Sequence, residues 1–256
     1  MSRVTEGSSV PRLPISPRLP FARLGVAVVA ELVELIVTGA VEPGQLLPPE
    51  SSLAEQFGVS RTVIRESVKR LDEKGLVVVV QGRGTLVAPS EAWNMLDPTV
   101  LSALIDNDDS VGVLDELSVV RSFLEAAMAG QVAGQDSVQS LARLEDALAA
   151  MRENVHDETA FYQADVNFHF IIMELSGNKL AQNIAKSLYR RALESKRYVG
   201  VNLADAIQVT LAEHELIVSA VRAGDVPSAE ASMREHIRKG WIRRRIPDEA
   251  AKPRGK

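Results

Sequence analysis

The spacing of apolar residues departs from a helical pattern at one place in this chain, residues 76–87. A β-branched run over 76–80, a turn at 81–84 and a return at 85–87 predict one short hairpin. From Pro98 onward apolar residues recur at helical spacing, and no further strand is indicated. We therefore expect a mainly α protein, with a small mixed N-terminal domain followed by an all-α helical bundle.

Proline and glycine residues set the expected boundaries. We expect disordered tails at 1–20 and 247–256, an N-terminal domain at 21–89, a linker with a short helix at 90–110, and a helical domain at 111–246. The expected helices are 24–38, 50–57, 60–74, 98–106, 112–132, 137–154, 158–175, 179–199, 204–223 and 227–245.

Composition limits the chemistry that is open to the chain. There is no cysteine, which excludes disulfides and thiolate metal sites and fits a reducing cytoplasm. The most apolar early stretch is interrupted by Arg23, Glu31 and Glu34, so no membrane span is predicted. The net charge is −5, yet residues 1–88 carry +1 and residues 89–256 carry −6. The acidity therefore belongs to the C-terminal part and does not exclude nucleic-acid binding by the N-terminal part.

The expected helix at 60–74 has two distinct faces. Its apolar stripe consists of Ile64, Val68 and Leu71. Its cationic stripe, on another face, consists of Arg61, Arg65 and Lys69. A guanidinium fork can grip a phosphate or a guanine edge at two points. Two short helices with a glycine turn and a following hairpin form a winged helix-turn-helix, so we predict that this helix reads DNA. The alternative for the charges alone is a solvated helix face.

Further DNA contacts are predicted at the start of this helix and at the hairpin tip. Ser60 can cap the helix, and Ser60 and Thr62 can donate hydroxyl hydrogen bonds to phosphates near the helix N-terminus. Gly82 leaves the tip free of bulk, so that Arg83 can approach the minor groove or a phosphate.

These motifs resemble those of the GntR family of repressors over about residues 21–89. The matching runs are Leu47–Ala54, Gly58–Glu66 and Gly82–Thr85. The resemblance implies operator binding through Ser60, Arg61, Thr62, Arg65 and Gly82. One position departs from the pattern: many members carry arginine where this chain has Ser51, so we do not predict a DNA contact there.

Three histidines in the helical domain suit a metal site. Asp165 and His169 are four residues apart on one expected helix and share its face, while His214 and His236 lie on the last two helices. A carboxylate and three imidazoles converging from three helices can hold a divalent cation such as zinc, nickel or manganese. The alternative is that each histidine is a hydrogen-bonded structural residue. His156, at a helix break, is expected to be exposed.

The same region is similar to the FCD ligand-binding domain of the FadR branch of GntR regulators. The similarity rests on Asp165–His169, on Glu213-His214 and on Met233–His236. It implies that Asp165 and the three histidines bind the metal, and it disfavours an acyl-CoA effector. It also implies that Arg121 faces the cavity, where it can clamp an effector carboxylate. The alternative is a surface ion pair of Arg121 with Glu125. Thr210, one turn before His214, is a weaker effector-binding candidate.

The linker 93–101 is similar to that of galactonate- and gluconate-pathway repressors in this branch, which implies a sugar-acid effector. The leading hypothesis is thus a cytoplasmic, ligand-responsive repressor that binds double-stranded operator DNA as a homodimer. Two alternatives stay open: a repressor that senses the cation itself, and a metallohydrolase.

Overall fold

The computed structural model describes residues 21–108, 112–194 and 203–244. It divides into two compact units, one reaching Trp93 and the other beginning at Asn94. The described ranges contain ten α-helices and one two-stranded antiparallel sheet, which confirms the predicted mainly α class. The two predicted tails, 1–20 and 247–256, lie outside the described residues.

The N-terminal unit consists of three helices, the hairpin and a single 3-10 turn. Its elements are α1 (Phe21–Val37), α2 (Glu50–Gln56), α3 (Arg61–Glu73), β1 (Val77–Val80), β2 (Gly84–Val87) and the turn Ser90–Ala92. Helix α1 packs on α3, because each carries an apolar stripe at helical spacing. The stripes are buried at Val28, Leu32, Ile36, Ile64, Val68 and Leu71. Burying each larger aliphatic side chain contributes roughly 1.5–3 kcal/mol to stability.

The hairpin continues directly from the end of α3. Its register pairs Val77 with Val87 and Val80 with Gly84. Gly75 makes the turn from helix to strand at φ +72°, and a Cβ there would collide with the carbonyl oxygen of Ala92. Only glycine satisfies both demands, so Gly75 ends the helical segment that follows α3 at this point.

The described residues of the C-terminal unit form seven helices. They are α4 (Pro98–Asn107), α5 (Gly112–Ala133), α6 (Val138–Glu153), α7 (Glu158–Leu175), α8 (Lys179–Glu194), α9 (Leu203–Arg222) and α10 (Val226–Arg244). Helix α5 is central and contacts α7, α8, α9 and α10. Small residues on α5, such as Ala126, Ala129 and Gly130, let α10 approach closely, and Gly130 lies against the side chain of Glu230.

The observed elements differ from the predicted ones mainly at their ends. The predicted helix 179–199 is described only to Glu194, since residues 195–202 lie outside the described ranges. The predicted helix 204–223 runs from Leu203 to Arg222. The 3-10 turn at Ser90–Ala92 was not predicted, because one turn carries no periodicity. Across the described ranges, no helix has the length and apolarity that a membrane crossing needs.

Candidate metal centre and nucleic-acid interface

The four side chains that were predicted as metal ligands lie together inside the C-terminal unit. Helix α7 supplies Asp165 and His169, α9 supplies His214 and α10 supplies His236. Each residue offers one ligand atom, and these atoms all lie within 4.8 Å of one another. None of the four residues is more than 6% exposed. The structure therefore brings together groups that are up to 71 residues apart in sequence.

Helical spacing on α7 explains why a carboxylate and an imidazole point to the same place. The inward face of α7 buries Phe161, Asp165, Phe168, His169 and Ile172. Phe168 packs edge-on against the ring of His214, with 4.5 Å between ring centroids. Phe168 thus shields this part of the cluster from water and limits the rotation of the His214 imidazole.

The Nε2 atoms of the three imidazoles face the interior of the cluster. His214 Nε2 lies 3.2 Å from Asp165 Oδ1. His169 Nε2 lies 3.1 Å from His236 Nε2. These short separations place the ligand atoms around one common point.

The Nδ1 atom of each imidazole has a partner outside the cluster. His169 Nδ1 lies 2.6 Å from Glu125 Oε2, and His236 Nδ1 lies 2.8 Å from Glu213 Oε2. His214 Nδ1 lies 2.8 Å from the carbonyl oxygen of its own helix at Thr210. Carboxylates and carbonyls only accept hydrogen bonds, so each Nδ1 carries the donated proton. With Nδ1 engaged in this way, each imidazole turns its Nε2 toward the cluster.

The charge states of the supporting groups agree with this tautomer. Burial raises the pKa of Glu125, but Arg121 and His169 outweigh it and the pKa falls to about 2. Burial also opposes ionisation of Glu213, yet hydrogen bonds from His236 and Arg243 lower its pKa to about 2. Burial, reinforced by His214, lowers the pKa of His236 to about 3. At neutral pH Glu125 and Glu213 are thus ionised hydrogen-bond acceptors, and the imidazole of His236 is neutral.

This arrangement fits a divalent cation. Nε2 of His214 is buried and has no hydrogen-bond partner among the described residues. His169 Nε2 and His236 Nε2 lie 3.1 Å apart, a separation at which both nitrogens can bind the same cation. Three imidazoles and a carboxylate form a nitrogen and oxygen donor set that suits zinc, nickel or manganese.

A small cavity adjoins the cluster on the side of Arg121, Tyr189 and Thr210. Its volume is about 20 Å³, which is room for about one water molecule. A metal-bound water would fit there. A sugar acid is larger, so its binding requires the lining side chains to move.

Arg121 combines features of both sequence interpretations, the cavity-facing residue and the ion-pair partner of Glu125. It is 4% exposed and lines the cavity, as the resemblance implied. Its Nε also donates to Glu125 Oε1 at 2.8 Å, so the i, i+4 ion pair exists, although it is buried rather than on the surface. The guanidinium stacks on the ring of Tyr189, with 3.6 Å from Cζ to the centroid. Thr210 is 6% exposed, and His156 is exposed as predicted.

Several residues of the site are not evident from the sequence. The sequence marks Glu125 only as an ion-pair partner, and Glu213 only as a neighbour of His214 in a motif. It does not single out Tyr189 or Arg243 at all. A signal exists for Arg243, which lies seven residues, or about two helical turns, after His236 on the same helix.

In the N-terminal unit, α3 presents the predicted DNA-contacting residues to solvent. Ser60 caps the helix, because its Oγ accepts from the backbone N–H of Val63 at 3.3 Å. Arg61, Thr62 and Arg65 are exposed. Arg65 is also paired with Glu50 at the start of α2, with 3.2 Å between Nη2 and Oε2. The cationic face is therefore accessible, and one of its arginines is oriented by a neighbouring acid.

The hairpin tip is equally accessible. Gly82 has φ +76°, a Cβ added to it would meet no other atom within 4 Å, and Arg83 beside it is exposed. Ser51, where many GntR proteins carry arginine, is exposed on α2. The structure thus places Ser60, Arg61, Thr62, Arg65, Gly82 and Arg83 on the surface of one compact unit.

Comparison with known families gives two matches. Residues 24–87 match the family described as "Bacterial regulatory proteins, gntR family", and residues 116–239 match the FCD domain. The first match covers the three N-terminal helices and the hairpin, and the second covers the helices that carry the histidine cluster.

Individual relatives are named as transcriptional regulators. The galactonate operon transcriptional repressor of Escherichia coli K12 is 36% identical over 205 residues, which cover 79% of this chain and 89% of that protein. LutR of Bacillus subtilis strain 168 is 31% identical and the match covers 79% of this chain and 93% of that protein. The solved structure of Lar, a regulator of the Listeria monocytogenes agr system, is 17% identical with a TM-score of 0.51, and covers 86% of this chain and 95% of that one. This last likeness concerns the fold alone.

Proposed function

The chain belongs to the gntR family of bacterial regulatory proteins and carries an FCD domain, and from that premise we propose that it is a transcriptional repressor controlled by a small carboxylate bound beside a divalent metal. The observation that carries the proposal is the buried cluster of Asp165, His169, His214 and His236, whose four ligand atoms lie within 4.8 Å of one another. Operator DNA is the proposed macromolecular partner.

A regulator fits the chain better than a metallohydrolase does. The matched families and relatives are transcriptional regulators, and the N-terminal unit has the corresponding helix-turn-helix. The nearest acids outside the ligand set, Glu125 and Glu213, each accept from an imidazole and an arginine. Engaged in this way, with pKa values of about 2, they are unsuited to act as a general base.

The proposed effector is a small carboxylate, and a sugar acid is the favoured class. Arg121 would hold one carboxylate oxygen of the effector, while an open coordination position of the metal would attract another. Thr210 lies at the same cavity. The relative named as a galactonate operon repressor supports this class. Because the cavity holds about one water, effector binding would displace its walls, and that displacement is the proposed signal.

The proposed DNA-binding form is a homodimer in which two N-terminal units read two half-sites of a palindrome. Ser60, Arg61, Thr62 and Arg65 would contact DNA from α3, and Gly82 and Arg83 from the hairpin tip. Dimerisation is assigned to the C-terminal unit. Sedimentation of the separate halves, 1–93 and 94–256, should give a monomer and a dimer; a dimeric N-terminal half with a monomeric C-terminal half would reverse the assignment.

The central test combines metal analysis with DNA binding. An operator is first selected from a random DNA library, and its affinity for the full-length protein is measured with galactonate or gluconate, with and without chelator. We expect about one divalent ion per chain and a change in DNA affinity on adding one of these acids. His214→Ala should lose both, whereas His156→Ala, an exposed histidine of the same domain, should behave as wild type.

Two other outcomes would change the proposal. If the metal alone alters DNA affinity and no carboxylate does, the protein senses the cation itself. If the purified protein neither contains nor takes up metal, and His214→Ala responds to a sugar acid normally, the histidines are structural and the metal proposal is wrong.

A further inference from the structure

A second arginine–glutamate pair lies next to the cluster, behind the imidazole of His236. Arg243 on α10 makes two hydrogen bonds to Glu213 on α9, at 2.8 Å from Nη1 to Oε1 and 2.6 Å from Nη2 to Oε2. Glu213 Oε2 in turn accepts from His236 Nδ1 at 2.8 Å. The side chains of Glu213 and Arg243 are 14% and 24% exposed. The pair therefore stands between the buried cluster and solvent.

Arg243 also lies close to Thr210, the residue whose carbonyl group orients the imidazole of His214. Arg243 Nη2 lies 3.5 Å from Thr210 Oγ1, and the carbonyl oxygen of Thr210 accepts from His214 Nδ1. Residues 210, 213 and 214 share one face of α9, because they are spaced at i, i+3 and i+4. Residues 236 and 243 are two turns apart on α10. One guanidinium thus contacts the groups that orient two of the three imidazoles.

We infer that Glu213 and Arg243 are positioning residues of the metal centre, with Glu213 fixing the tautomer and direction of His236 and Arg243 holding Glu213 in place. The inference rests on the proposed metal site and extends it to two residues that orient a ligand. A carboxylate behind a ligating imidazole keeps Nε2 deprotonated and aimed at the ion, and raises its basicity. Neither residue belongs to the proposed ligand set.

Glu213 has no substitute in this role among the described residues around His236. Outside the proposed ligand set, Glu125 on α5 also contacts an imidazole of the cluster, but that imidazole is His169. Without Glu213, His236 would be free to place its proton on Nε2, and the lone pair that faces the cluster would be lost. Without Arg243, Glu213 would remain beside His236 but would lose two hydrogen bonds that hold its orientation.

The test measures zinc affinity of the full-length protein, by competition with a chromogenic chelator. The variants are Glu213→Gln, Arg243→Met and the double variant. Matched controls are Glu215→Gln, an exposed acid on α9 paired with Arg152, and Arg238→Met, an exposed arginine on α10 paired with Glu235. Thermal midpoints of the metal-free proteins report folding. The visible spectrum of the cobalt(II) form reports the ligand geometry around the ion.

We expect Glu213→Gln to bind zinc about 10- to 100-fold more weakly than wild type, with an altered cobalt spectrum and a folded metal-free state. Arg243→Met should weaken zinc binding less, and the double variant should match Glu213→Gln, since Arg243 acts through Glu213. The two controls should bind as wild type. Should Glu213→Gln prove misfolded, Glu213→Asp replaces it, with the same expected order.

Two results would overturn the inference, and they are distinguishable from failure of the metal site itself. Wild-type affinity and an unchanged cobalt spectrum in both variants would mean that the pair is a surface ion pair only. Fully additive losses in the double variant would mean that Arg243 does not act through Glu213. A wild-type protein that binds no zinc and no cobalt would instead refute the proposed metal site.

Discussion

The two units of this protein use charged side chains in opposite ways. In the N-terminal unit the cations of α3 are exposed to solvent: the side chain of Arg65 is 73% exposed and that of its partner Glu50 is 38% exposed. In the C-terminal unit Arg121 and Glu125 are 4% and 1% exposed and form part of a continuous buried network. An exposed charge is available for a large polyanion, whereas a buried network holds fixed positions for a small ligand.

This contrast implies that mutations in the two units have different consequences. Removing an exposed arginine should abolish an intermolecular contact without disturbing the fold. Removing one member of the buried network should leave its partner with an uncompensated charge and should affect stability as well as binding.

The largest effect is expected in DNA binding, from the double variant Arg61→Ala/Arg65→Ala. Each lost base or phosphate contact should weaken specific binding by roughly 5- to 150-fold, so that the double variant no longer distinguishes operator from random DNA. Its thermal midpoint should stay that of wild type. Arg70→Ala, half a turn around α3 from Arg61, is the control. Unchanged mobility-shift affinity in the double variant would remove α3 from the DNA interface.

A large loss of stability is expected for Glu125→Ala. Arg121 would remain buried without this carboxylate, and breaking a buried ion pair from one side typically costs about 3–5 kcal/mol. Chemical denaturation of the metal-free protein measures the change. Glu145→Ala, which breaks the exposed pair with Arg222, is the control and should stay close to wild type. Equal stability of the two variants would show that the buried network has no special energetic role.

A moderate effect is expected from pH on the metal-free protein. The pKa of His236 is about 3 in the folded state against 6.5 for the free side chain, so the unfolded state binds the extra proton first. Stability should therefore fall as the pH drops from about 6.5 toward 3. Glu125 and Glu213, with folded pKa values of about 2 against 4.5, add a further loss as the pH falls from about 4.5 toward 2.

Thermal midpoints of wild type and His236→Gln, recorded in chelator between pH 7 and pH 4, check this prediction. The variant should show a flatter profile over the upper part of this window, because the group that takes up the proton in the unfolded state is gone. His156→Gln serves as the control, since His156 is exposed. Parallel profiles for wild type and His236→Gln would contradict the assignment.

The smallest effect is expected from Glu50→Gln. Its pair with Arg65 is exposed, and the charge–charge attraction is screened by water and salt. The thermal midpoint should not change measurably, while the salt dependence of DNA binding should, because a negative charge beside the cationic face is removed. A marked loss of stability would mean that the N-terminal unit also depends on its ion pairs, and the contrast between the units would fail.

The sequence by itself determined those features that depend on neighbouring residues. The helix cap at Ser60, the buried stripe of Ile64, Val68 and Leu71, and the exposed arginines of α3 all follow from spacing along one helix. The shared direction of Asp165 and His169 follows from the same rule. Helix ends were less predictable, since capping and a single 3-10 turn leave little periodic signal.

Only the tertiary structure decided how α5, α7, α9 and α10 meet. The histidine spacing was compatible with separate, hydrogen-bonded residues, and resemblance rather than geometry favoured a common site. Packing decides which nitrogen of each imidazole faces inward, because the partners Glu125 and Glu213 come from other helices. Sequence periodicity reports which face of a helix is buried, but it carries no information on which other helix covers that face. For that reason only the fold identified Glu125, Glu213 and Arg243 as parts of the site.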